Sequence, residues 1–324
     1  MHYKNKDAIK AAHLIFPEIS NVKKINKGYS HDIFEVFPKN NEKTFIIRFS
    51  NGNKEENSLE KEIRVNEILA ENNLPVPKII LYQKASNELP LEFAIMSKIE
   101  GHDLDDLWKK LLKGEQEKIA EKMGELLGKI HNIKFDKFGV LTPNGIREKY
   151  DFNFKKVGKE VKINRHSAEI LSRAFSDLGF FSSHKFVTED LVSKIVKYLI
   201  KNRRLTEIKE KPSLIHGDFD IRNIKVIKEK DQWTISGIFD FEYTSSLMRE
   251  YDFIKLNRIG FLSKGHIRNS LLKGYNKYQK IDKDFDKRIE FFRFMRDIGF
   301  AVFLLKAGNK QLANKTIERI KSII

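Results

Sequence analysis

The spacing of hydrophobic positions changes near Gly101 and divides the chain into two parts. Before this glycine, short apolar runs rich in Ile, Phe and Val are typical of β-strands, at residues 33–37, 44–49, 78–82 and 93–98. Two segments have helical spacing, residues 7–16, which stop before Pro17, and residues 58–72, which two prolines follow. The first part is therefore predicted to be a small sheet with two helices, and its first two strands to form a hairpin.

After Gly101 the pattern becomes mainly helical. Amphipathic helices are predicted at residues 119–133 and 189–205, helix with loops at 149–186, and helix from 251 to 324. The exception is a pair of apolar runs at 224–227 and 233–241, which predicts a β-hairpin that turns at Lys230-Asp231. We therefore expect an α+β fold with two lobes. A β-rich lobe spans residues 1–100 and a mainly helical lobe spans 101–324, with a hinge at about residues 97–101.

Composition narrows the possible chemistry. The chain has no cysteine, which excludes a disulfide scaffold, a Cys-ligated zinc site, an iron–sulfur centre and a thiol nucleophile. The first residues lack the apolar core of a signal peptide, and the longest apolar run near the C-terminus, residues 298–305, is far shorter than the roughly 20 residues of a bilayer span. We expect a cytoplasmic protein without membrane contacts, and a monomer or a weak dimer.

A formal net charge of +16 raises the question of nucleic-acid binding. The surplus is not uniform: residues 1–100 hold 15 basic and 14 acidic side chains, whereas residues 251–324 hold 17 basic and 7 acidic ones. A basic nucleic-acid-binding protein is one interpretation. The chain has no RNA-binding aromatic signature and no clear helix-turn-helix pattern, and a solvated Lys-rich surface explains the surplus equally well.

The stretch of the chain that carries chemistry runs from Ser213 to Glu242. It contains His216-Gly217-Asp218, then Asn223 before the first strand of the hairpin, and Asp240 at the end of the second strand. Phosphoryl transfer needs one carboxylate that orients the acceptor hydroxyl and accepts its proton, and further oxygen ligands that hold magnesium against nucleotide phosphates. The hairpin brings the oxygens of Asn223 and Asp240 to one end, where they can meet a single ion.

These motifs resemble the aminoglycoside phosphotransferase and choline kinase superfamily, whose fold is similar to that of protein kinases. The resemblance implies that Asp218 is the catalytic carboxylate, that Asn223 and Asp240 bind Mg²⁺, and that ATP or GTP is the phosphate donor. It also implies that His216 and Asp252 support the catalytic loop, Asp252 as a helix N-cap would. His131, at a position similar to the end of a family helix, is interpreted as structural.

The first part of the chain supplies the expected nucleotide contacts. The segment 28–31, which includes Ser30, matches the phosphate-covering loop of the family. Arg48 matches the basic residue that grips the phosphates, and Glu62 matches the glutamate that pairs with it. The hinge backbone from Ser97 to Ile99 is expected to bind the purine. Because this contact uses backbone atoms, the sequence does not choose between ATP and GTP.

The pattern is most similar to the 2″-type aminoglycoside phosphotransferases, through Gly28-Tyr29, the Phe-Asp-Phe end of the hairpin, Asp252-Phe253-Ile254 and the aromatic segment 290–294. An aminoglycoside is a polycation, so carboxylates are expected around it. The candidates for such acceptor contacts are Asp220, Glu242, Glu250 and Glu290.

The segment from Phe253 to Ile281 favours other acceptors, because it holds seven basic residues and no acidic one. A neutral or anionic acceptor would suit Lys255, Arg258, Lys264 and Arg268 better. The sequence therefore predicts a Mg²⁺-dependent kinase that phosphorylates a hydroxyl of a small molecule, with an aminoglycoside as the first acceptor hypothesis. A choline-, sugar- or nucleoside-type kinase, a kinase-like regulator without catalysis and the nucleic-acid-binding protein are the alternatives.

Overall fold

The computed structural model describes residues 3–25, 32–39, 41–50, 52, 58–87, 89–147, 165–184, 186–207, 209–263 and 265–324. In this part of the chain, a five-stranded antiparallel sheet with two helices precedes a larger, mainly helical region that contains two small sheets. The predicted α+β fold, with a small sheet lobe and a helical lobe that includes a β-hairpin, is confirmed.

The elements follow one another in a regular order along the two lobes. The α-helices are α1 Asn5–Ala12, α2 Leu59–Glu71, α3 Leu104–Trp108, α4 Lys113–Asn132, α5 Arg165–His184, α6 Glu189–Lys201, α7 Phe253–Arg258, α8 Gly265–Tyr275, α9 Phe285–Lys306 and α10 Lys310–Lys321. The β-strands are β1 Ile19–Ile25, β2 Ile33–Pro38, β3 Phe45–Phe49, β4 Ile79–Gln83, β5 Phe93–Ser97, β6 His102–Asp103, β7 Gly139–Thr142, β8 Gly145–Arg147, β9 Ser213–Ile215, β10 Ile224–Glu229, β11 Gln232–Ile238 and β12 Ser245–Leu247.

The five-stranded sheet has the order β1-β2-β3-β5-β4. Because side chains alternate between the faces of a strand, Phe93 and Ile95 of β5 lie on the face covered by α1, and Ala94 lies on the other face. On that second face Ala94 packs with Leu59 and Ile63 of α2. The sheet is thus covered by a helix on each side.

Helix α2 belongs to both lobes. It begins after Ser58, whose side chain accepts a hydrogen bond from the backbone N–H of Lys61 at 3.2 Å, as an N-cap does. Val65 and Leu69, on a different face from Leu59, belong to the main hydrophobic cluster of the helical lobe. The ammonium of Lys61, which is 1% exposed, donates to the carbonyl of Glu242 at 2.5 Å. These contacts bind α2 to the region that carries the chemistry.

Two hydrophobic cores organise the helical lobe. One lies between α4, α8 and the β10–β11 hairpin, to which β6 adds a third strand. The other lies between α5, α6, α9 and α10. A second small sheet, of order β8-β7-β12-β9, leads directly into the stretch that begins at His216. Among the described residues, no helix has the length and apolar composition required to cross a membrane.

The predicted elements differ from the structure at identifiable places. Helix α1 ends at Ala12 and not at residue 16, and β1 was not predicted. Strand β1 is the edge of its sheet and only Val22 is buried, so its sequence lacks clear alternation. The predicted strand 233–241 ends earlier, at Ile238, because Asp240 has a φ of 72°. Residues 149–164 of the predicted helix with loops lie outside the described residues.

Candidate active site

The loop after β9 is fixed through its backbone. The N–H groups of His216 and Gly217 donate to the two carboxylate oxygens of Asp252, at 2.8 and 2.7 Å. Gly217 has a φ of 79°, and a Cβ there would lie 2.3 Å from the carbonyl oxygen of Tyr243, so no other residue fits. This turn determines where the next residue, Asp218, stands.

Asp252 is also bound by the buried side chain of His131, which in turn contacts the buried Tyr275. His131 Nε2 lies 3.0 Å from Asp252 Oδ2, and His131 Nδ1 lies 2.8 Å from the hydroxyl of Tyr275. Burial lowers the pKa of His131 and raises the pKa of Tyr275 well above its usual value. A neutral His131 that donates from Nε2 and accepts from Tyr275 satisfies both contacts. The Asp252 carboxylate thus holds the loop by accepting from the backbone amides of His216 and Gly217. It makes no N-cap hydrogen bond to α7.

The ring of His216 connects the loop to the end of the hairpin. Its Nε2 lies 3.1 Å from the carbonyl oxygen of Phe239, and its Nδ1 accepts from the N–H of Asp218 at 3.3 Å. A single neutral tautomer, protonated at Nε2, makes both hydrogen bonds. His216 is 1% exposed, so it acts here by position.

Asp218 is the partly exposed carboxylate at the end of this frame. Asn223 Nδ2 donates to its carbonyl oxygen at 3.0 Å and to its Oδ2 at 3.3 Å. Its Oδ1 is in an ion pair with Lys255 of α7, whose ammonium also lies 3.6 Å from Asp220 Oδ2. The sequence marked Lys255 only as one of several basic residues near an acceptor, because nothing in the linear pattern indicates this contact.

Asp240 meets the basic residue of the sheet lobe. Arg48 Nη2 lies 3.1 Å from Glu62 Oε1 and 3.4 Å from Asp240 Oδ1, so one guanidinium bridges the two lobes. Burial opposes the charged form of Arg48, but Glu62 and Asp240 outweigh it and hold the pKa of Arg48 above its usual value. The predicted Arg48–Glu62 pair is therefore present, and it lies beside the predicted metal ligand.

The hinge segment is held by hydrogen bonds at Ser97 and by close packing at Ile99 and Gly101. The N–H of Ser97 donates to the carbonyl of Lys78 at 2.9 Å, and its hydroxyl accepts from the N–H of Lys78 at 2.8 Å, so this amide is already bonded. Ile99 packs against Gly237 of β11, where a Cβ would lie 2.5 Å from the Ile99 side chain. Gly101 has a φ of 103° and approaches the carbonyl of Val226. Ser30 lies outside the described residues.

The four candidate acceptor carboxylates are mostly engaged by cations. Asp220, 2% exposed, accepts from Arg222 at 2.8 Å, and although burial opposes its ionisation, Arg222 and Lys255 hold the pKa of Asp220 below its usual value. Glu250, 0% exposed, is bound by Arg288 at 2.8 Å. A fully buried, paired carboxylate does not reach an acceptor, so this position argues against Glu250 as an acceptor contact.

The remaining two candidates differ in exposure. Glu242 is 6% exposed, and its carbonyl accepts from Lys61. Glu290 is exposed on α9, where Asn257 donates to it at 2.8 Å and Arg293 forms an ion pair with it at 2.8 Å. The structure therefore brings Asp218, Asn223, Asp240, Arg48 and Glu62 together, but it does not gather the acidic acceptor candidates around an open pocket.

The chain was compared with models of known protein families. The profile of the phosphotransferase enzyme family, APH, matches residues 21–285. The chain belongs to this family. Membership of a phosphotransferase family leads us to expect phosphoryl transfer. The matched residues include most of the sheet lobe and the loop around Asp218.

Solved structures share the same fold at low sequence identity. The GDP and kanamycin complex of APH(2″)-IIIa is 17% identical, with 97% of each chain covered and a TM-score of 0.65. The gentamicin complex of APH(2″)-IIa is 15% identical, with 99% of this chain and 96% of that chain covered and a TM-score of 0.64. A ternary complex of APH(4)-Ia with ADP and hygromycin B is 15% identical, with coverages of 97% and 96% and a TM-score of 0.65. The predicted kinase-like fold is confirmed.

The oxygen donors of this phosphotransferase fit magnesium. Asn223 is anchored to Asp218 through its Nδ2, and no hydrogen bond of the described residues uses its Oδ1. Asp240 provides a carboxylate that is 32% exposed. The described residues contain no group of three or more His, Asp or Glu suited to a metal, but Mg²⁺ is usually held by one or two carboxylates together with substrate phosphates and waters. The Asp240 carboxylate beside Arg48 and the Oδ1 of Asn223 are hard oxygen donors of the kind that this requirement names.

Proposed function

We propose that this protein is a Mg²⁺-dependent kinase that transfers the γ-phosphate of a nucleoside triphosphate to a hydroxyl group of a small molecule. The supporting observation is that Asn223 contacts Asp218, while Arg48 pairs with Glu62 and lies 3.4 Å from Asp240. The backbone connects the members directly, because the carbonyl of Asn223 accepts from the N–H of Phe239, the residue before Asp240, at 3.1 Å.

Each group has a distinct role in this proposal. Asp218 orients the acceptor hydroxyl and accepts its proton, and Asn223 keeps that carboxylate in place through Nδ2. Asn223 Oδ1 and Asp240 hold Mg²⁺, which neutralises charge on the phosphates. Arg48 binds phosphate oxygens of the nucleotide with its planar guanidinium. Lys255, beside Asp218, provides a positive charge on the acceptor side of the transferred group.

We propose aminoglycosides as the first acceptor class to test, because relatives of the same fold have been solved with kanamycin, gentamicin and hygromycin B. One observation favours a second class. Asp220, Glu250 and Glu290 are already bound by arginines, and Lys255 stands at the catalytic carboxylate. This environment suits an acceptor that carries an anionic group better than a polycation.

The decisive experiment is a phosphate-transfer assay with ATP and with GTP, in the presence of Mg²⁺, against aminoglycosides, choline, neutral sugars, sugar phosphates, nucleosides and nucleotides. We expect turnover with at least one acceptor class and none for Asp218→Ala. Absence of Mg²⁺-dependent nucleotide binding, together with no turnover on any acceptor, would contradict the proposal.

A second measurement addresses the nucleic-acid alternative. Binding to labelled DNA and RNA is measured by fluorescence anisotropy at low and at physiological salt. We expect weak binding that disappears as salt rises and that does not respond to ATP. Tight, sequence-dependent binding at physiological salt without nucleotide turnover would support the alternative function.

A further inference from the structure

A cleft outside the catalytic centre is unusually rich in arginine. It lies between α7, α9 and α10 and has a volume of about 90 Å³. Its lining consists of four arginines, one aspartate and two apolar side chains, namely Ile254, Arg258, Arg293, Arg296, Asp297, Phe300 and Arg319. The arginines come from three different helices, so their convergence is a property of the fold and not of one basic stretch of sequence.

The single carboxylate of the cleft is already neutralised. Asp297 is bound by Arg319 through two hydrogen bonds, from Nε and from Nη2, both at 2.6 Å. Such a fork-to-fork pair uses both carboxylate oxygens. Of the other three arginines, Arg293 pairs with Glu290, so Arg258 and Arg296 carry the positive charge of the cleft that is unpaired among the described residues.

These three arginines have few partners of opposite charge. Arg293 pairs with Glu290 at 2.8 Å, but its Nε is buried and has no hydrogen-bond partner in the described part of the chain. Arg258 and Arg296 form no ion pair with any residue that the structure describes. A buried guanidinium N–H without an acceptor is costly, and Arg258 and Arg296 line the same cleft without an ion-pair partner among the described residues. An anion in the cleft would accept from the buried N–H and offset the two positive charges.

The volume and the donor chemistry define the anion. A space of about 90 Å³ is sufficient for a phosphate or carboxylate group. Planar guanidinium groups bind such groups through paired hydrogen bonds, and arginine remains charged throughout the working pH range. A polycationic acceptor would be repelled from this place.

The cleft adjoins the catalytic carboxylate through α7. Lys255 contacts Asp218, and Arg258 stands three residues later, about one helical turn away on the same helix. Asn257, between them, donates to Glu290 of α9 at 2.8 Å and fixes α7 against the helix that provides Arg293 and Arg296. An acceptor of moderate size could thus present a hydroxyl to Asp218 while its anionic end lies among the arginines.

We propose that the cleft is the acceptor subsite for an anionic group, so that the natural acceptor is a hydroxyl compound that carries a phosphate or a carboxylate. This inference rests on the kinase function proposed above. It names a substrate class with charge opposite to that of an aminoglycoside.

The first test is binding of inorganic phosphate, followed by NMR or calorimetry, to the wild type, Arg296→Ala and Arg258→Ala. Arg64→Ala is the matched control, because Arg64 is an exposed arginine of α2 that pairs only at the surface with Glu67. We expect affinity to fall about tenfold or more in each cleft variant, as for loss of a charge-assisted hydrogen bond, and to stay unchanged in the control. Equal affinity in all four proteins, or no saturable binding to the wild type, would overturn the inference.

ADP binding in the presence of Mg²⁺ is measured on the same four proteins to separate the two proposals. Unchanged ADP affinity in the cleft variants, together with weakened phosphate binding, supports a subsite distinct from the nucleotide site. If no protein binds ADP, the kinase proposal fails, while phosphate binding that depends on Arg296 still supports the anion site.

The second test compares acceptors in matched pairs, a neutral sugar with its monophosphate and a nucleoside with its 5′-monophosphate. We expect the charged member of a pair to be preferred, and Arg296→Ala to raise its KM about tenfold with little change in kcat, because the lost contact is made equally before and during transfer. Phosphorylation of an aminoglycoside with a KM that Arg296→Ala leaves unchanged would overturn the inference and leave the kinase proposal intact.

Discussion

Two neighbouring carboxylates, Asp218 and Asp252, serve the same loop in opposite ways. Asp252 is 1% exposed and is surrounded by fixed partners, two backbone amides and His131. The side chain of Asp218 is 21% exposed and contacts Asn223 and Lys255, two residues with polar groups to offer to a ligand. The contrast teaches that one acid is enclosed by the loop that it holds, while the other is partly exposed at the end of the loop. Substitutions should therefore separate activity from stability.

The largest expected effect is the loss of activity in Asp218→Ala. We expect phosphate transfer to fall about 10³- to 10⁴-fold, because the variant lacks the carboxylate proposed to accept the hydroxyl proton. The free energy of unfolding should change by no more than about 1 kcal/mol, since the side chain is partly exposed and Lys255 keeps Asp220 as a neighbour. Steady-state kinetics and denaturant unfolding measure the two quantities. Near-wild-type turnover would refute the catalytic role.

The opposite result is expected for Asp252→Ala. Removal of the carboxylate leaves the amides of His216 and Gly217 without their acceptor, which should lower the free energy of unfolding by about 3–5 kcal/mol. Asp136→Ala is the control, because Asp136 is exposed and pairs with Lys211 at the surface, so its free energy of unfolding should stay close to that of the wild type. Equal stability of the two variants would contradict the structural role of Asp252.

Asp240→Asn tests the proposed Mg²⁺ ligand, which is partly exposed, as Asp218 is. Asparagine tolerates the φ of 72° at this position, so the variant removes charge without adding backbone strain. We expect nucleotide affinity in Mg²⁺ to fall about 10- to 100-fold and affinity in EDTA to change little. Titration calorimetry with and without Mg²⁺ distinguishes these cases, and identical affinities in Mg²⁺ would exclude Asp240 as a metal ligand.

A smaller effect is expected for Lys255→Met, which keeps an apolar stem of similar length and removes the ammonium beside Asp218. We expect kcat to fall about tenfold, with unchanged nucleotide affinity, because one charge-assisted contact is lost. Lys255→Arg should recover part of the rate. If Lys255→Met and the wild type have the same kcat, the contact with Asp218 has no role in turnover.

The smallest expected effect is a loss of stability at low pH that arises from the buried side chain of His131. Burial lowers the pKa of His131 in the folded protein, whereas in the unfolded chain it is about 6.5. The unfolded state therefore takes up the proton first as pH falls below about 6.5, and stability is lost from that point downward. We expect a loss of up to about 1 kcal/mol between pH 7.5 and 5.5 that is reduced in His131→Gln. A steeper loss in the variant would contradict the assignment.

The sequence predicted local contacts best where the residues lie close together in the chain. Asn223 and Asp240 flank the β10–β11 hairpin, so strand pairing brings Asn223 beside Phe239, and Asn223 reaches back to Asp218 five residues earlier. Strand β3 and helix α2, which carry Arg48 and Glu62, were also predicted, and the ion pair between these residues is present.

Other contacts depend on packing between distant segments, and no local pattern reveals them. The ion pair of Lys255 with Asp218, the burial of Glu250 against Arg288 and the convergence of Arg258 with Arg296 each join separate helices or loops. Strand β1 was missed for a related reason, since an edge strand buries few side chains and its period is weak. The sequence thus predicted the fold and the family better than it predicted the contacts around Asp218.

The packing of α2 on both lobes has a consequence for exchanging parts between relatives. Val65 and Leu69 belong to the hydrophobic cluster of the helical lobe, and the Lys61 ammonium is bound to the carbonyl of Glu242. A chimera that joined the sheet lobe of one phosphotransferase to the helical lobe of another at the hinge would therefore place a foreign helix inside a core selected for its own. The residues of α2 that face the helical lobe must come from the same parent as that lobe, even though the helix precedes the hinge in the chain.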